Sequence, residues 1–423
     1  MSAANGDAVN YRGAFYSQPK ECHDGLYRTF SPSETLKRIA PCFRTVGLTR
    51  LSDITGLDRI GIPVVASIRP GAKTITTSSG KGATIEAAMA SGAMESIEVF
   101  HAETIDYPVI ISSYKELSKR CNIIELHQLA LTKHSIFNVN RPEKWVMGWD
   151  IATQCEVAAP LLQVSLDYAY GLDGLTISFQ MGSNGLASGN HFLEALSSAL
   201  FEVIERDAIA CYTEANVKRS CPLKRIDPST IGYDSVTKLI ERFESAHVRP
   251  VIFDYTVDTE VPVFVTYIYD LNSRHMGVYK GAGAHLDPET ALVRSLTEAA
   301  QSRLLVIVGS RDDIFRHTYS SLKLDDNAVI LNYFNKSGQT MSAFDRHDES
   351  TGTFEGDILL CIKKLRRAGL NRVIVYDLTK PDIGIPVLRV IVPGAEGYMF
   401  KHYTPGTRAK KFAASFAARE VWQ

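Results

Sequence analysis

The sequence of 423 residues lacks several features that would reveal its class at once. No apolar run approaches the roughly 20 residues needed to cross a bilayer. The first residues contain neither a basic segment nor an apolar one, so no secretory signal is expected. The formal net charge is only -1, which gives no general attraction to nucleic acid or to a membrane surface. The sequence therefore predicts a cytoplasmic protein that binds neither.

The seven cysteines form no CxxC pair and are scattered along the chain. An odd, dispersed set is typical of reduced, mostly buried thiols. Cys22 and His23 are neighbours, but adjacent residues cannot easily chelate one ion, and no second pair supports them. Neither a zinc site nor a disulfide framework is expected.

The composition, 45% hydrophobic and 22% charged, is that of an ordinary globular protein. Mixed strand and helix patterns predict an α+β fold. We expect a flexible N-terminal tail over 1–19, one domain over 20–410 and a helical C-terminal tail over 411–423. A helix beginning near Ser31 and a β-hairpin from Trp145 to Val157, with Asp150 near its turn, are expected inside the domain.

Three segments share a glycine-containing loop followed by a helix with polar residues on one face. The loops read GKGAT, GAGAH and GLASGN. In the first two helices the polar residues follow the spacing i, i+4, i+7, which places them on one side. The polar residues are Ser91, Glu95 and Glu98 in the first unit, Arg294, Glu298 and Gln301 in the second, and Asn190, Glu194, Glu202, Glu205 and Arg206 in the third.

Short strand patterns recur as well. Two segment pairs, each reading GLxR and then GIPV, are similar, and a third pair is a looser copy. These pairs are 47–50 with 61–64, 369–372 with 384–387, and 250–254 with 261–263. Chance similarity is a fair alternative for such short strands alone, but the matching loop and helix units favour a repeated architecture.

Acidic residues on a single helix are most simply explained as a solvated face. If three such faces converge, six carboxylates share one space, and like charges at that distance force protonation or unfolding unless cations compensate them. Oxygen ligands without arranged histidine or thiolate suit Mg²⁺ rather than zinc. Mg²⁺ often completes its shell with phosphate oxygens, and arginines and glycine-loop N–H groups also bind phosphate. The pattern therefore predicts ATP and Mg²⁺ as cofactors.

Common nucleotide-binding signatures are absent. The segment GKGAT lacks the spacing of a Walker A loop, and no HRD and DFG pair is present, which argues against a P-loop NTPase and a protein kinase. The motifs GKGAT…SxxxExxE, SNGLASGN…ExxxxxxxExxER and RxxxExxQxR instead resemble the YcaO superfamily over nearly the whole chain. The resemblance implies a YcaO-type α+β fold, with pseudo-repeated strand, glycine loop and helix units around a Mg-nucleotide site.

The resemblance also implies an activity, since family members use ATP to phosphorylate the carbonyl oxygen of a peptide bond. It implies catalytic roles for Glu95, Glu202, Arg206 and Glu298. It implies nucleotide contacts for Arg28, Thr35, Ser91, Glu98, Asn190, Glu194, Arg206 and Arg294, and metal ligation by Glu95, Glu98, Glu194, Glu202, Glu205 and Glu298. For Arg28 and Thr35 an ordinary helix start is an equal alternative, and the role of His191 stays open.

Family members make azolines, thioamides or amidines, depending on the nucleophile. The last residues, REVWQ, contain no proline, whereas azoline-forming members typically end in a proline-rich tail. The stretches RTFSPSETL, GLDRIGIPV and SNGLASGNHFLEA are similar to YcaO proteins that act beside TfuA proteins. The resemblance therefore implies thioamidation of a peptide or protein substrate with a TfuA-type partner, in a protein that can form a homodimer. Azoline or amidine formation with a peptide-binding partner, and a non-catalytic ATP-binding accessory role, remain the alternatives.

Overall fold

A computed structural model describes residues 8–23, 26–168, 178–217, 223–273, 275–320, 334, 341–397 and 403–420. Its helices are α1 Pro32–Ile39, α2 Phe43–Val46, α3 Ile85–Glu103, α4 Tyr114–Leu117, α5 Phe192–Val217, α6 Asp234–Ser245, α7 Pro288–Val308, α8 Arg316–Ser320, α9 Phe354–Arg367 and α10 Thr407–Glu420. Short 3-10 turns cover Ala40–Cys42, Thr55–Leu57, Leu126–Gln128, Leu161–Gln163 and Pro228–Thr230.

The strands form small antiparallel sheets. They are β1 Val9–Tyr11, β2 Ala14–Tyr16, β3 Glu21–His23, β4 Leu26–Arg28, β5 Arg50–Asp53, β6 Val64–Ile68, β7 Thr77–Lys81, β8 Ile110–Ser113, β9 Pro142–Asp150, β10 Cys155–Pro160, β11 Leu186–Ser188, β12 Lys224–Arg225, β13 Val248–Asp254, β14 Val263–Asp270, β15 Val278–Ala284, β16 Ile374–Asp377 and β17 Val387–Ile391. The three larger sheets have the orders β5-β6-β7, β12-β13-β14-β15 and β10-β9-β16-β17-β11, with β8 also on β9. The predicted hairpin around Asp150 is β9 and β10.

The fold is built on three equivalent units, each with three antiparallel strands and a long helix. The units are β5-β6-β7 with α3, β13-β14-β15 with α7, and β16-β17-β11 with α5. One backbone hydrogen bond recurs in all three, just before the helix. The amides of Gly82, His285 and Gly189 donate to the carbonyls of Pro63, Pro262 and Pro386, over 3.3, 3.2 and 3.1 Å.

A second recurring contact lies where each first strand ends. A threonine hydroxyl accepts the amide of the valine that opens the next strand, so the side chain bridges the connection. The pairs are Thr55 with Val64 at 3.1 Å, Thr256 with Val263 at 3.2 Å, and Thr379 with Val387 at 3.2 Å. The repeat expected from the short strand patterns therefore extends to individual hydrogen bonds.

Three glycines of the motifs lie in strands rather than in loops, so the sequence interpretation is wrong for these three. Gly80 lies within β7, and Gly281 and Gly283 lie within β15. A Cβ atom at Gly80 would lie 2.0 Å from the carbonyl oxygen of Ala88, and one at Gly281 would lie 2.2 Å from the amide nitrogen of Ala299. These glycines let a strand and its helix approach closely, a packing requirement that has the same sequence pattern as a turn.

Both predicted tails are wrong in their extent. Residues 8–19 include the β1 and β2 hairpin, and Val9 and Tyr11 are buried in the largest hydrophobic cluster. The C-terminal helix α10 begins at Thr407, ahead of the expected boundary, and buries Ala409 and Ala413 in the same cluster against α5. Short apolar residues spaced among polar ones conceal this burial in the sequence. Residues 1–7 and 421–423 lie outside the described part.

The long helices are buried on most of their surface, which decides how their acidic faces are interpreted. Leu193, Leu196, Leu292 and Leu296 have no exposed surface, and Ile97 of α3 is likewise fully buried. This enclosure limits the access of water to the carboxylates, and the side chains of Glu202 and Glu298 are 23% and 28% exposed. Among the described residues, no helix is both long and apolar enough to cross a membrane.

Candidate functional site

The helices α3, α5 and α7 face one cavity of about 780 Å³. The recurring backbone hydrogen bond aligns their residues and gives three sets of equivalent positions. One set contains only glutamates. In each of the other two sets, α3 and α5 carry the same residue type and α7 carries a different one. These sets are Glu95, Glu202 and Glu298; Glu98, Glu205 and Gln301; and Ser91, Ser198 and Arg294.

All twelve residues assigned by the sequence line this cavity. They come from four separate parts of the chain, so their meeting is a property of the tertiary structure. They are Arg28, Thr35, Ser91, Glu95, Glu98, Asn190, Glu194, Glu202, Glu205, Arg206, Arg294 and Glu298. His191 lies elsewhere: its ring stands edge-on to Tyr16, and its Nδ1 accepts the amide of Leu193 at 3.2 Å.

The carboxylates of the cavity resist ionisation. Burial raises the pKa of Glu95 to about 7 and that of Glu98 to about 8, and nearby glutamates add to the effect. The pKa of Glu205 is raised to about 7 by burial and by the charge of Glu298. Burial also raises the pKa of Glu202. Such shifts mean that burial, with mutual repulsion among the glutamates, outweighs the cations near them, and shifts of this kind are common at functional sites.

Glu298 is the exception among these carboxylates. Burial by itself raises its pKa, but the ammonium of Lys81 and the guanidinium groups of Arg206 and Arg294 outweigh it, and the net pKa is lowered. Lys81 Nζ donates to Glu298 Oε2 over 2.6 Å. The Ala282 amide donates to the other oxygen, Oε1, at 3.3 Å. Glu298 is therefore held ionised by protein groups.

Two equivalent side chains connect neighbouring units. Glu98 on α3 accepts from the Ser188 amide at 2.8 Å and from its hydroxyl at 2.7 Å. The Gln301 side-chain amide on α7 donates to the Ser79 carbonyl at 2.9 Å and to its hydroxyl at 2.8 Å. These bonds occupy edge-strand groups, and they fix each helix relative to the sheet of the next unit.

One end of the cavity is formed by the segment that leads into α1. Ser31 caps this helix in a capping box with Glu34, as expected. Glu194 accepts the Thr29 amide at 3.0 Å and lies 3.8 Å from Nε of Arg28. Burial lowers the pKa of Arg28, while the charge of Glu194 opposes the shift. Glu194 is therefore held by groups of the segment that leads into α1, as Glu298 is held by Lys81 and Ala282.

Asn190 and Thr35 meet at the same end. The Asn190 side-chain nitrogen donates to the Thr35 hydroxyl at 2.9 Å, and Arg38 donates to the Asn190 carbonyl at 2.9 Å. The apolar side chains of Phe30 and Pro32 line the cavity beside them. An apolar wall with a few fixed polar groups is a typical binding surface for a purine base.

Some lining residues escaped the sequence reasoning. Ser198 has the same SxxxExxE spacing before Glu202 and Glu205 as Ser91 has in its own helix, so this signal was available. Lys81, Arg311 and Arg389 are cations that also line the cavity. Lys81 stands inside the GKG motif, but nothing in the local sequence of Arg311 or Arg389 indicates that they reach the site.

The donor set fits Mg²⁺ and a polyphosphate. Within the described ranges, no three Asp, Glu, His or Cys side chains come close enough together to hold a metal ion by themselves, so the six proposed ligands do not converge on one point. Mg²⁺ keeps several waters and takes phosphate oxygens as ligands, so it does not require a complete protein cage. Asn190 Oδ1 and Arg294 Nε are buried without a hydrogen-bond partner, as expected of groups that await a ligand.

A family model described as YcaO cyclodehydratase, ATP- and Mg²⁺-binding, matches residues 79–396. This chain belongs to the YcaO cyclodehydratase family. An uncharacterised protein of Methanothermobacter thermautotrophicus is 36% identical over 90% of this chain and 97% of its own length. A protein of Rhizobium leguminosarum bv. trifolii, known as the uncharacterised protein in the tfuA 3′ region, is 32% identical over 87% of this chain and 88% of its own.

Solved structures show the same fold. A heterocyclase in complex with substrate and cofactor has a TM-score of 0.78 at 21% identity, and the match covers 93% of this chain. This YcaO chain spans only 55% of that heterocyclase. The YcaO protein from Methanopyrus kandleri bound with AMPPCP and Mg²⁺ has a TM-score of 0.69 at 23% identity, with coverage of 92% of this chain and 100% of the other.

The predicted family and the α+β class are confirmed. ATP and Mg²⁺, which the converging carboxylates predicted, are the cofactors of this family.

Proposed function

We propose that this YcaO protein uses ATP to phosphorylate the oxygen of a backbone amide in a peptide or protein substrate. We propose further that a TfuA-type partner then delivers sulfur, so that the product is a thioamide. The observation that carries the first part is the set of three equivalent glutamates facing a cavity in which Glu95, Glu98, Glu202 and Glu205 have raised pKa values. Such a site needs cations, and its arginines and lysine need an anion.

The proposed roles follow from the positions of the residues. Thr35, Asn190 and Glu194 hold the nucleoside end, with Arg28, Ser91 and Glu98 close by. Arg294 and Arg206 contact the phosphates, because a guanidinium group can donate two parallel hydrogen bonds to phosphate oxygens. Glu95, Glu202, Glu205 and Glu298 hold Mg²⁺, which neutralises the charge that builds up on the phosphoryl group during transfer.

The chemistry requires no oxidant. The amide oxygen attacks the γ-phosphorus of ATP, a new P–O bond forms, and ADP leaves. Sulfide then adds to the activated carbon, and the phosphorylated oxygen departs as inorganic phosphate, leaving C=S in place of C=O. Catalysis of these steps by positioning and by fixed charge suits a site built from carboxylates, arginines and a lysine.

The sulfur branch is supported by the relative from the tfuA 3′ region, which is 32% identical to this chain. Ring formation is the competing outcome, since structures similar in fold include a heterocyclase and the E. coli microcin synthetase complex. Those matches are at 21% and 15% identity. They support the fold but do not indicate which nucleophile is used.

Intact mass measurement tests the proposal. The protein is incubated with MgATP, sulfide, a TfuA-type protein and a peptide encoded in the same gene neighbourhood, with reactions lacking ATP, sulfide or the TfuA-type protein as controls. We expect the mass gain of an oxygen-to-sulfur exchange only in the complete mixture. Loss of water instead would indicate an azoline, and replacement of oxygen by an amine would indicate an amidine. If no product forms and no phosphate is released, the result would favour a non-catalytic accessory protein.

A further inference from the structure

Arg389 breaks the repeat at a buried position. The recurring contacts align Val64, Val263 and Val387 at the start of the middle strands, so Arg389 occupies the position of Ala66 and Val265. Those two residues are buried apolar side chains, whereas Arg389 is a cation that is only 3% exposed. A buried arginine in place of a core residue costs stability unless it is compensated, and such departures mark functional positions.

The guanidinium group of Arg389 is only partly satisfied by the protein. Its Nε donates to the Gln163 carbonyl at 2.9 Å, and its Nη2 donates to the Gly182 carbonyl at 2.5 Å. Its Nη1 is buried without a hydrogen-bond partner. In the described part of the chain no carboxylate forms an ion pair with it. An unsatisfied buried donor is rare and carries a desolvation penalty, which a bound ligand removes.

Arg389 has charged neighbours that differ from those of Arg28 at the nucleoside end. It lines the same cavity, and the charged neighbour that most favours its protonated form is Glu202 of the central glutamate set, although burial lowers its pKa to about 10. The corresponding neighbours of Arg28 are Glu194 and Glu98. The two arginines thus have different charged neighbours, and the neighbour of Arg389 is a glutamate at the proposed metal positions.

We propose that Arg389 binds an anionic oxygen of the phosphoryl group while it passes from ATP to the acceptor. This inference rests on the proposed function and adds a residue to it. The bond from phosphorus to the ADP oxygen breaks and the bond to the amide oxygen forms, while Arg389 keeps its proton and supplies positive charge. A guanidinium group fixed by two backbone carbonyls is preorganised for this, because no reorientation is needed when the charge develops.

Binding measurements with a mimic of the transferred group test this role. Isothermal titration compares MgADP alone with MgADP plus fluoroaluminate for wild type, Arg389→Gln and Arg389→Lys. We expect Arg389→Gln to weaken the fluoroaluminate complex about tenfold or more, the usual effect of losing a charge-assisted hydrogen bond, with MgADP binding unchanged. Arg389→Lys should recover part of the loss, because it keeps the charge but not the planar fork.

Arg69→Gln is the matched control. Arg69 is also a buried arginine whose Nη1 has no partner, with its Nε on the Val46 carbonyl and its Nη2 on Glu103, but it does not line the cavity. Its substitution should lower the melting temperature and leave both affinities unchanged in the folded protein.

Equal weakening of MgADP and of the fluoroaluminate complex in Arg389→Gln would overturn the inference, because it would mean a general effect on the nucleotide site. Unchanged affinity in both states would overturn it too. A loss of affinity seen only for a neutral acceptor peptide would also overturn the inference, because it would mean that Arg389 binds the substrate instead. Failure of the wild type to bind MgADP would contradict the proposed function itself, a result that the Arg389 variants cannot produce.

Discussion

The acidic cavity makes the stability of the metal-free protein dependent on pH. Glu98 has a pKa of about 8 in the folded protein because burial raises it from 4.5. Between these values the folded state keeps a proton that the unfolded chain has released, so the free energy of unfolding falls as the pH rises. The penalty is absent below the unfolded pKa and complete above the folded pKa. Substituting Glu98 by glutamine should therefore flatten the pH dependence.

The size of this effect follows from proton linkage. One retained proton contributes a slope of about 1.4 kcal/mol per pH unit. From about pH 5.5 to about pH 7.5, Glu98 alone then accounts for roughly 3 kcal/mol as an upper value. Glu95 and Glu205, with pKa values of about 7, add to the wild-type slope in the lower part of this range. Glutamine keeps an oxygen to accept both Ser188 hydrogen bonds, at 2.8 and 2.7 Å.

Urea unfolding in the presence of a chelator, over a series of pH values, measures the slope. The control is Glu116→Gln, since Glu116 is an exposed carboxylate that bonds Lys119 at 2.9 Å and has a lowered pKa. We expect the slope of the free energy of unfolding against pH to be smaller in Glu98→Gln by about the contribution of one proton. The control should behave like wild type. Mg²⁺ with a non-hydrolysable ATP analogue should flatten the wild-type slope. Equal slopes in wild type and Glu98→Gln would refute the assignment of the raised pKa.

Three further predictions concern the same units. Glu202→Gln or Glu298→Gln should abolish ATP turnover in a folded protein, and unchanged phosphate release with unchanged Mg²⁺ dependence in both would contradict the metal roles. Lys81→Met should steepen the pH dependence of unfolding, because the cation that lowers the pKa of Glu298 is removed; a slope equal to wild type would show that the lysine does not hold that carboxylate ionised. Gly80→Ala should destabilise the fold by about 3 kcal/mol or more, since its Cβ would lie 2.0 Å from a carbonyl oxygen of α3, whereas Gly71→Ala, with nothing within 4 Å, should be close to neutral in denaturant unfolding.

Side-chain spacing along helices was the part of the site that the sequence could predict. The spacing of Ser91, Glu95 and Glu98 depends only on the helix period, and so does that of Arg294 and Glu298. Each stripe alone is compatible with a solvated face. The convergence of several stripes excluded that alternative, because uncompensated carboxylates cannot share a buried space.

Contacts between distant segments could not be predicted in the same way. The third unit takes β16 and β17 from the C-terminal part of the chain and β11 and α5 from the middle. The helix that belongs with the strand repeat at 384–387 therefore precedes it in sequence. Arg389 belongs to this unit, and its sequence neighbours reveal nothing about a cavity formed by α3, α5 and α7. The closely packed glycines also resemble a loop, because close backbone approach and sharp turns both require the absence of a side chain.

The departures from threefold repetition best explain how this fold binds a nucleotide rather than metal ions alone. Three identical acidic faces would attract only cations. The α7 unit instead has Arg294 where the other helices have serine, and Gln301 where they have glutamate. Lys81 of β7, whose counterparts in the other units are Ala284 and Ser188, donates a hydrogen bond to Glu298 of α7. One wall of the cavity is therefore cationic and two are acidic. Glu95, Glu202, Glu205 and Glu298 would hold Mg²⁺ and Arg206 and Arg294 would bind the phosphates, so a Mg-nucleotide would satisfy both kinds of wall at once, which neither ligand could do separately.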